Sequence, residues 1–374
     1  MKQPPFCPQA GCPAHYQPPE PRWYDRFGTY YSRRSGRVQR YRCRYCGRHF
    51  SDSSFSLDYY AKRRVDYSHL MNLVCSCSGI RQMSRILHVH RQTVSNRIMR
   101  LARQAIAVHS QLTVDGKLEE PVVVDGLVSY WVSQYVPNEF TVLLGARSRY
   151  IYSYSACSKR RSGRMTDHQR RRRAELEEHF HADPQALGRS FSQVLEVATR
   201  CAHAARCILE LRTDEHRTYT RFLTTHAGWN LLRSDGKAVH RTTSSRRIRS
   251  AMNPLAVVNT LDRSVRNDLA EHVRETIRFA RNVNASVERF TVYQHWHNYR
   301  KPASINEAHA DNSTHAEHAG IPHDAIRSQL RGFYTRRRFL TRAPVWGQMR
   351  DLWLRVHRTP FRNSSDYLPR YLLN

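Results

Sequence analysis

Apolar positions change their spacing along the chain, and each change marks a new kind of element. In "SGIRQMSRILHVHRQTVSNRIMRLARQ", Ile80, Met83, Ile86 and Leu87 recur at helical spacing, and Val94, Ile98 and Leu101 do so again after "HVHR". Two short helices joined by a turn are predicted there. From Glu120 the period becomes that of strands, and "PVVVDGLVSYWV", "FTVLLGARSR" and "YIYSYSAC" predict three in succession. The next stretch, "SKRRSGRMTDHQRRRRAELEEHF", is too polar for a core and predicts a solvated loop running into a helix. An amphipathic helix follows from about Pro184 to His203, and "CILELRTD" predicts a short buried strand ending on Asp214. A helix near Tyr219 to Thr225, a short strand at "WNLLRS" and a last long helix from about Asn259 to Asn282 complete the pattern. That succession predicts an α/β domain built around one mixed sheet with flanking helices. Beyond Tyr299, "ASINEAHADNSTHAEHAGIP" reads as a linker. In the tail behind it, Trp346, Met349, Leu352 and Trp353 fall at helix-core spacing, which favours a cover over the sheet domain rather than a clamp on a ligand.

Charge narrows the partner. Lys and Arg number 61 against 31 Asp and Glu in 374 residues, a formal balance of +30. A surplus of that size points to a polyanion, with nucleic acid the default, because neutralised phosphates release counterions and drive binding. A merely solvated basic surface is the bland alternative. No apolar run is long enough to span a membrane and the start carries no signal-peptide pattern, so a soluble, cytoplasmic protein is expected.

The nine cysteines are not spaced as a disulfide framework. Cys43 and Cys46, with Gly47 behind them, have the spacing of a metal knuckle, and Cys7 and Cys12 form a second, looser pair. Four thiolates around tetrahedral Zn²⁺ are expected, since so small a segment needs a metal to fold, and His15 stands close enough in sequence to substitute for one of them. The helix pair that follows reads as a helix-turn-helix whose second helix presents Gln92, Thr93, Ser95, Asn96 and Arg97 to a major groove, or else as a plain packing element.

Asp125 in "VVVDG" and Asp214 each interrupt or end an otherwise apolar strand. A carboxylate in such surroundings needs a compensating cation. Two brought together from different strands offer hard oxygens to Mg²⁺ or Mn²⁺, ions that support in-line phosphoryl displacement. Alone, either could be a strand-end turn residue facing solvent. His216, Arg217 and the run "HRTTSSRR", which contains His240, Arg246 and Arg247, supply groups that suit phosphate, although the same run would serve as an exposed polar loop.

Taken together, "VVVDGLVSYWVSQYVPNEFTVLLG", "LRTDEHRTY", "HRTTSSRRIR" and "NPLAVVNTLDRSVRNDLAEHVRETIRFAR" resemble bacterial insertion-sequence transposases of the DDE/D type. The resemblance runs from Cys7 to about Pro302. It implies a zinc ribbon (residues 1–52), a helix-turn-helix domain (53–112) and an RNase H-like catalytic domain (118–302, with a basic insertion at 158–182), followed by a linker and a basic, aromatic extension (303–374). It further implies metal-dependent cleavage and strand transfer on double-stranded DNA at element ends, by a homo-oligomer working at the bacterial nucleoid. Asp125 and Asp214 would be the first two metal ligands and Asp262 the third, where many such enzymes carry Glu. Continued helical rotation from Leu261 also turns Asp262 toward the apolar stripe, points Glu271 away and leaves Glu275 well off its centre. Asp262 could equally be a first-turn residue favoured by the helix dipole. Two other functions fit the same motifs: a nuclease of this fold that does not join, and a zinc-dependent DNA-binding regulator.

Overall fold

A computed structural model of the protein describes residues 3–18, 22–114, 118–244, 246–248, 250, 252–273, 278–304, 312–363, 365–369 and 372–373. At the N-terminus a single helical turn, α1 (Pro13–Tyr16), precedes a three-stranded antiparallel sheet of β1 (Tyr24–Ser32), β2 (Gly36–Cys43) and β3 (His49–Ser51). Trp23, Tyr41 and Phe50 close around Cys7, Cys12 and Cys43 in a small core of their own, with Trp23 and Phe50 stacked at 5.7 Å.

Helices α2 (Tyr67–Val74), α3 (Ile80–Ile86) and α4 (Arg91–Val114) follow. The second helix of the expected pair is 24 residues long, roughly 36 Å at 1.5 Å per residue. Only its first turns resemble a short recognition helix. Further along, Leu101, Ala102, Ala105, Ile106, Val108 and Leu112 are buried, since small and aliphatic residues on that face let the helix run through the middle of the protein.

The main sheet joins β4 (Val122–Tyr130), β5 (Pro137–Gly145), β6 (Ile151–Ser158), β7 (Leu209–Asp214) and β8 (Ala238–Thr243) in the order β6-β5-β4-β7-β8. The first three form an antiparallel meander; β7 runs parallel to β4, and β8 parallel to β7. The basic stretch forms a loop and the exposed helix α5 (Asp167–Glu177), begun by a Thr166–Gln169 capping box. Helix α6 (Ala186–Ala205) crosses from β6 to β7 and buries Phe191, Val194, Leu195, Ala198 and Ala202. The protein is thus α/β, with one mixed and one antiparallel sheet.

Between β7 and β8 stand α7 (Arg217–Thr225) and α8 (Ala227–Ser234). The run "WNLLRS" is therefore helical, not a strand: His226 caps it by accepting the Trp229 amide at 3.2 Å, and Trp229 and Leu232, three apart, reach one buried face. The strand lies later, so His240 belongs to β8 rather than to a loop. The last long helix also divides. Helix α9 (Ala256–Asp268) ends at Leu269 in extended backbone, and α10 (Val283–Tyr299) begins with Asn282 accepting the Ala285 amide at 2.8 Å. Helix α10 is buried almost all round, so it lacks the amphipathic period that would reveal it.

Part of the expected linker forms α11 (His315–His318), and residues 305–311 lie outside the described residues. Helices α12 (His323–Leu330) and α13 (Gly347–Leu354) complete the chain, with Met349, Leu352 and Trp353 buried as their spacing predicts. One hydrophobic core runs from Leu57 to Trp353, so α4, the main sheet and the C-terminal helices are packed together. Among the described residues, no helix is long and apolar enough to cross a membrane.

Candidate metal sites and nucleic-acid surface

Two tight turns gather the cysteines. In the first, the Cys12 amide donates to the Gln9 carbonyl at 3.1 Å; in the second, the Gly47 amide donates to Cys43 at 3.0 Å, with Gly47 at φ +69°, a backbone that a side chain would strain. The sulfurs of Cys7, Cys12, Cys43 and Cys46 lie within 4.8 Å of one another, which fits four ligands around one tetrahedral zinc ion. Burial pushes the Cys7 thiol up and the Cys12 thiol to about 11, so held as free thiols they would stay protonated and crowded. At Cys46, burial is outweighed by hydrogen bonding from the Arg48 backbone and the other thiols, and its pKa is lowered. His15 is no substitute ligand: its Nδ1 bonds the Cys7 carbonyl at 2.7 Å and its Nε2 the Thr341 hydroxyl at 2.8 Å. It braces the site from behind.

The two strand aspartates lie on neighbouring strands. Val122 pairs with Leu211 and Val123 with Arg212, and the ladder stops there, with Asp125 and Asp214 each two residues further along its own strand in the same direction. Each carboxylate accepts a local amide, Asp125 from Gly126 at 2.7 Å and Asp214 from His216 at 3.0 Å. Tyr219, buried in α7, lies within electrostatic reach of both. Burial first, then the charges of Glu139, Asp125 and Asp214, hold its phenol well above its ordinary range.

Glu139 is an acid that the sequence reading passed over. It is buried on β5, donor to nothing and paired with Lys159 Nζ at 2.6 Å, and its side chain lies across Gly126, the residue after Asp125. A lone Glu in the otherwise apolar "NEFTVLLG" was the available signal.

Asp262 lies on α9, which packs against β4, but it is only half-buried and faces Arg266 at 3.9 Å. Among the described residues, the four cysteines are the one group that brings three or more ligand atoms within 4.8 Å of one another, so the three aspartates do not form a cluster that tight. Glu271 is not directed away from the protein: it is buried and bonded to Arg289 Nε at 2.8 Å, because the helix ends before reaching it. Glu275 lies outside the described residues.

Several cations flank the aspartate pair. Arg217 opens α7, exposed, just beyond Asp214. Thr243 pairs with Asp214 across β7 and β8, and the exposed Arg246 and Arg247 follow in the turn after it. His240 faces inward instead, bonding Thr213 at 2.9 Å. On the helix pair, Gln92 and Asn96 are exposed and bonded to each other at 3.2 Å, while Thr93 and Ser95 are half-buried. Arg97 is not presented to solvent; it is buried, donates to the Arg63 carbonyl at 2.8 Å and faces Asp58 at 3.7 Å. Arg81, Arg85 and Arg91 line the surface groove between α3 and α4 with Ser84 and His90, and the apolar pattern alone did not single them out.

A cavity of about 530 Å³ opens between α4, β6, α6 and α13, and none of the three aspartates lines it. No protein-family model matches the chain, and no curated protein matches it.

Proposed function

We propose that this protein is a DNA strand transferase of the DDE/D insertion-sequence type. The observation that carries the reading is that Tyr219 lies in the field of both Asp125 and Asp214, which follow the paired residues of two parallel strands. The strand order, an antiparallel meander followed by two parallel strands, supports an RNase H-like catalytic domain. The donor set fits a hard cation, since both side chains offer only oxygen. Asp125 and Asp214 would hold Mg²⁺ or Mn²⁺, with Asp262 reaching in from α9 after releasing Arg266. When bound, such ions activate a water or a 3′-hydroxyl and stabilise the leaving oxygen.

The chain's own residues do the rest. Arg217, Arg246 and Arg247 hold backbone phosphates at the Asp214 end of the sheet, and Tyr219, kept neutral, floors the pair without adding charge. The first turn of α4 reads duplex DNA through Gln92 and Asn96, flanked by Arg81, Arg85 and Arg91. The zinc ribbon folds around Zn²⁺, and a homo-oligomer on paired DNA ends in the bacterial nucleoid completes the reading. One observation favours a zinc-dependent DNA-binding regulator instead: among the described residues, the aspartates form no group of three ligand atoms within 4.8 Å of one another.

Purified protein incubated with labelled candidate ends and Mg²⁺ or Mn²⁺ separates these readings. Nicked and joined products are expected, and Asp125→Asn and Asp214→Asn should each abolish both while binding DNA at least as tightly, because charge beside phosphate has been removed. Asp262→Asn should match them and Glu275→Gln should be far milder. Cleavage without joining identifies a nuclease, binding without cleavage a regulator, and near-normal cleavage by either of the first two variants moves the metal site elsewhere.

A further inference from the structure

The zinc ribbon exposes aromatic side chains that its own core does not need. Strand β1 is the free edge of its sheet, and every residue from Asp25 to Tyr31 is exposed. Phe27 is 45% exposed, Tyr31 79% and, just beyond the ribbon, Tyr60 72%. Exposed rings point to a partner where they share one surface.

Tyr60 belongs to a groove of about 320 Å³ between the sheet and residues 59–61, lined by Tyr30, Arg34, Arg40, His49, Tyr59 and Tyr60 together with serine hydroxyls. No carboxylate lines it. At its rim Phe27 stands edge-on to His49 at 4.5 Å, with the Arg40 guanidinium 5.4 Å from the Phe27 ring centre. Tyr59 and Tyr60 lie 4.1 Å apart, and Arg337 sits over the Tyr59 ring at 5.2 Å, steadying that wall from behind. Arg34 is oriented by Asp58, 2.9 Å away and outside the groove.

We infer that this groove binds single-stranded DNA. Cations interleaved with aromatic faces suit a strand whose bases are unpaired, because stacking on a side chain needs an open base face and a duplex buries its own. The helix pair offers the complementary chemistry: the groove between α3 and α4 is lined by arginines, a serine and a histidine without Phe, Tyr or Trp. The ribbon therefore takes a frayed or displaced strand while α3 and α4 hold the adjoining duplex. The inference rests on the DNA reading proposed above and adds the strandedness of what the ribbon holds.

Fluorescence anisotropy of the zinc-loaded full-length protein tests it, with labelled oligothymidylate and a blunt duplex measured at one fixed salt concentration. Tyr60→Ala and Phe27→Ala should each weaken oligothymidylate binding by roughly tenfold, with zinc content and duplex affinity unchanged, and Tyr60→Trp should restore it. Unchanged oligothymidylate affinity in both alanine variants overturns the inference, as does an equal loss on duplex. Tighter binding of oligouridylate overturns the choice of DNA. Duplex binding without oligothymidylate binding removes this inference alone, whereas binding of neither removes the DNA reading as well.

Discussion

Gly126 is where the fold around the aspartate pair tolerates least change. A Cβ built there would lie 2.3 Å from Glu139 Oε1, 2.4 Å from its Cδ and 2.8 Å from its Cγ. Because Cγ is included, rotating the carboxylate alone does not clear the methyl. The whole Glu139 side chain must leave, and with it the contact to Lys159 at 2.6 Å. Overpacking of this kind costs about 1–3 kcal/mol, and a buried carboxylate stripped of its partner adds about 1–3 kcal/mol more. Gly126→Ala should therefore destabilise by about 2–6 kcal/mol, the sum of those two effects. Glu139→Ala removes the obstacle, and Lys159, about one-third exposed, can then turn to water. The test is a double-mutant cycle by urea denaturation followed through tryptophan fluorescence. The double variant should be more stable than the sum of the single effects by about 1–3 kcal/mol. Additivity within about 0.5 kcal/mol would show that the two residues do not compete for space, and the argument would fail. Since Asp125 accepts the Gly126 amide, cleavage should fall in Gly126→Ala and recover in part with Glu139→Ala.

Metal analysis should find about one zinc per chain, as four ligands around one ion require, and Cys43→Ser should lose it; full occupancy in a Cys7/Cys43 double serine variant would refute the site. Arg97→Ala should cost about 1.5–3 kcal/mol, because Asp58, still held by Arg34 and Tyr67, and the Arg63 carbonyl each lose a charged partner, yet leave the duplex sequence preference unchanged; a changed preference in a normally stable variant would return Arg97 to the DNA surface. Burial lowers His109, His272 and His315 to about 4 from an ordinary 6.5, so the unfolded chain takes up protons first as the pH falls. Stability from these groups is complete above pH 6.5 and is lost toward pH 4, and the urea midpoint should drop from pH 7.5 to pH 5; a flat or rising midpoint would contradict their neutral burial.

The composition and spacing of residues were enough for the cysteine site, the strand meander, α6 and the helical tail, because each depends on neighbours in sequence. Cys43, Cys46 and Gly47 specify their turn locally, and the short β-branched run from Val122 onward favours a strand. Where long-range packing decides, the same reading went astray. "WNLLRS" carries few residues, and its fate was set by the buried face that Trp229 and Leu232 share. The helix after Asn259 stops at Asp268, so rotation counted past that point misplaced Glu271, and α10 was missed because burial on every side erases the period. Arg97 and His15 look like ligand-binding groups in sequence and become structural ones only through distant partners, Asp58 and Arg63 for the first and Thr341 for the second. Asp125 and Asp214 could be nominated from sequence, but only the parallel pairing of β4 with β7 puts their strands next to each other, since two strands separated by a meander and a helix share no local signal of their register.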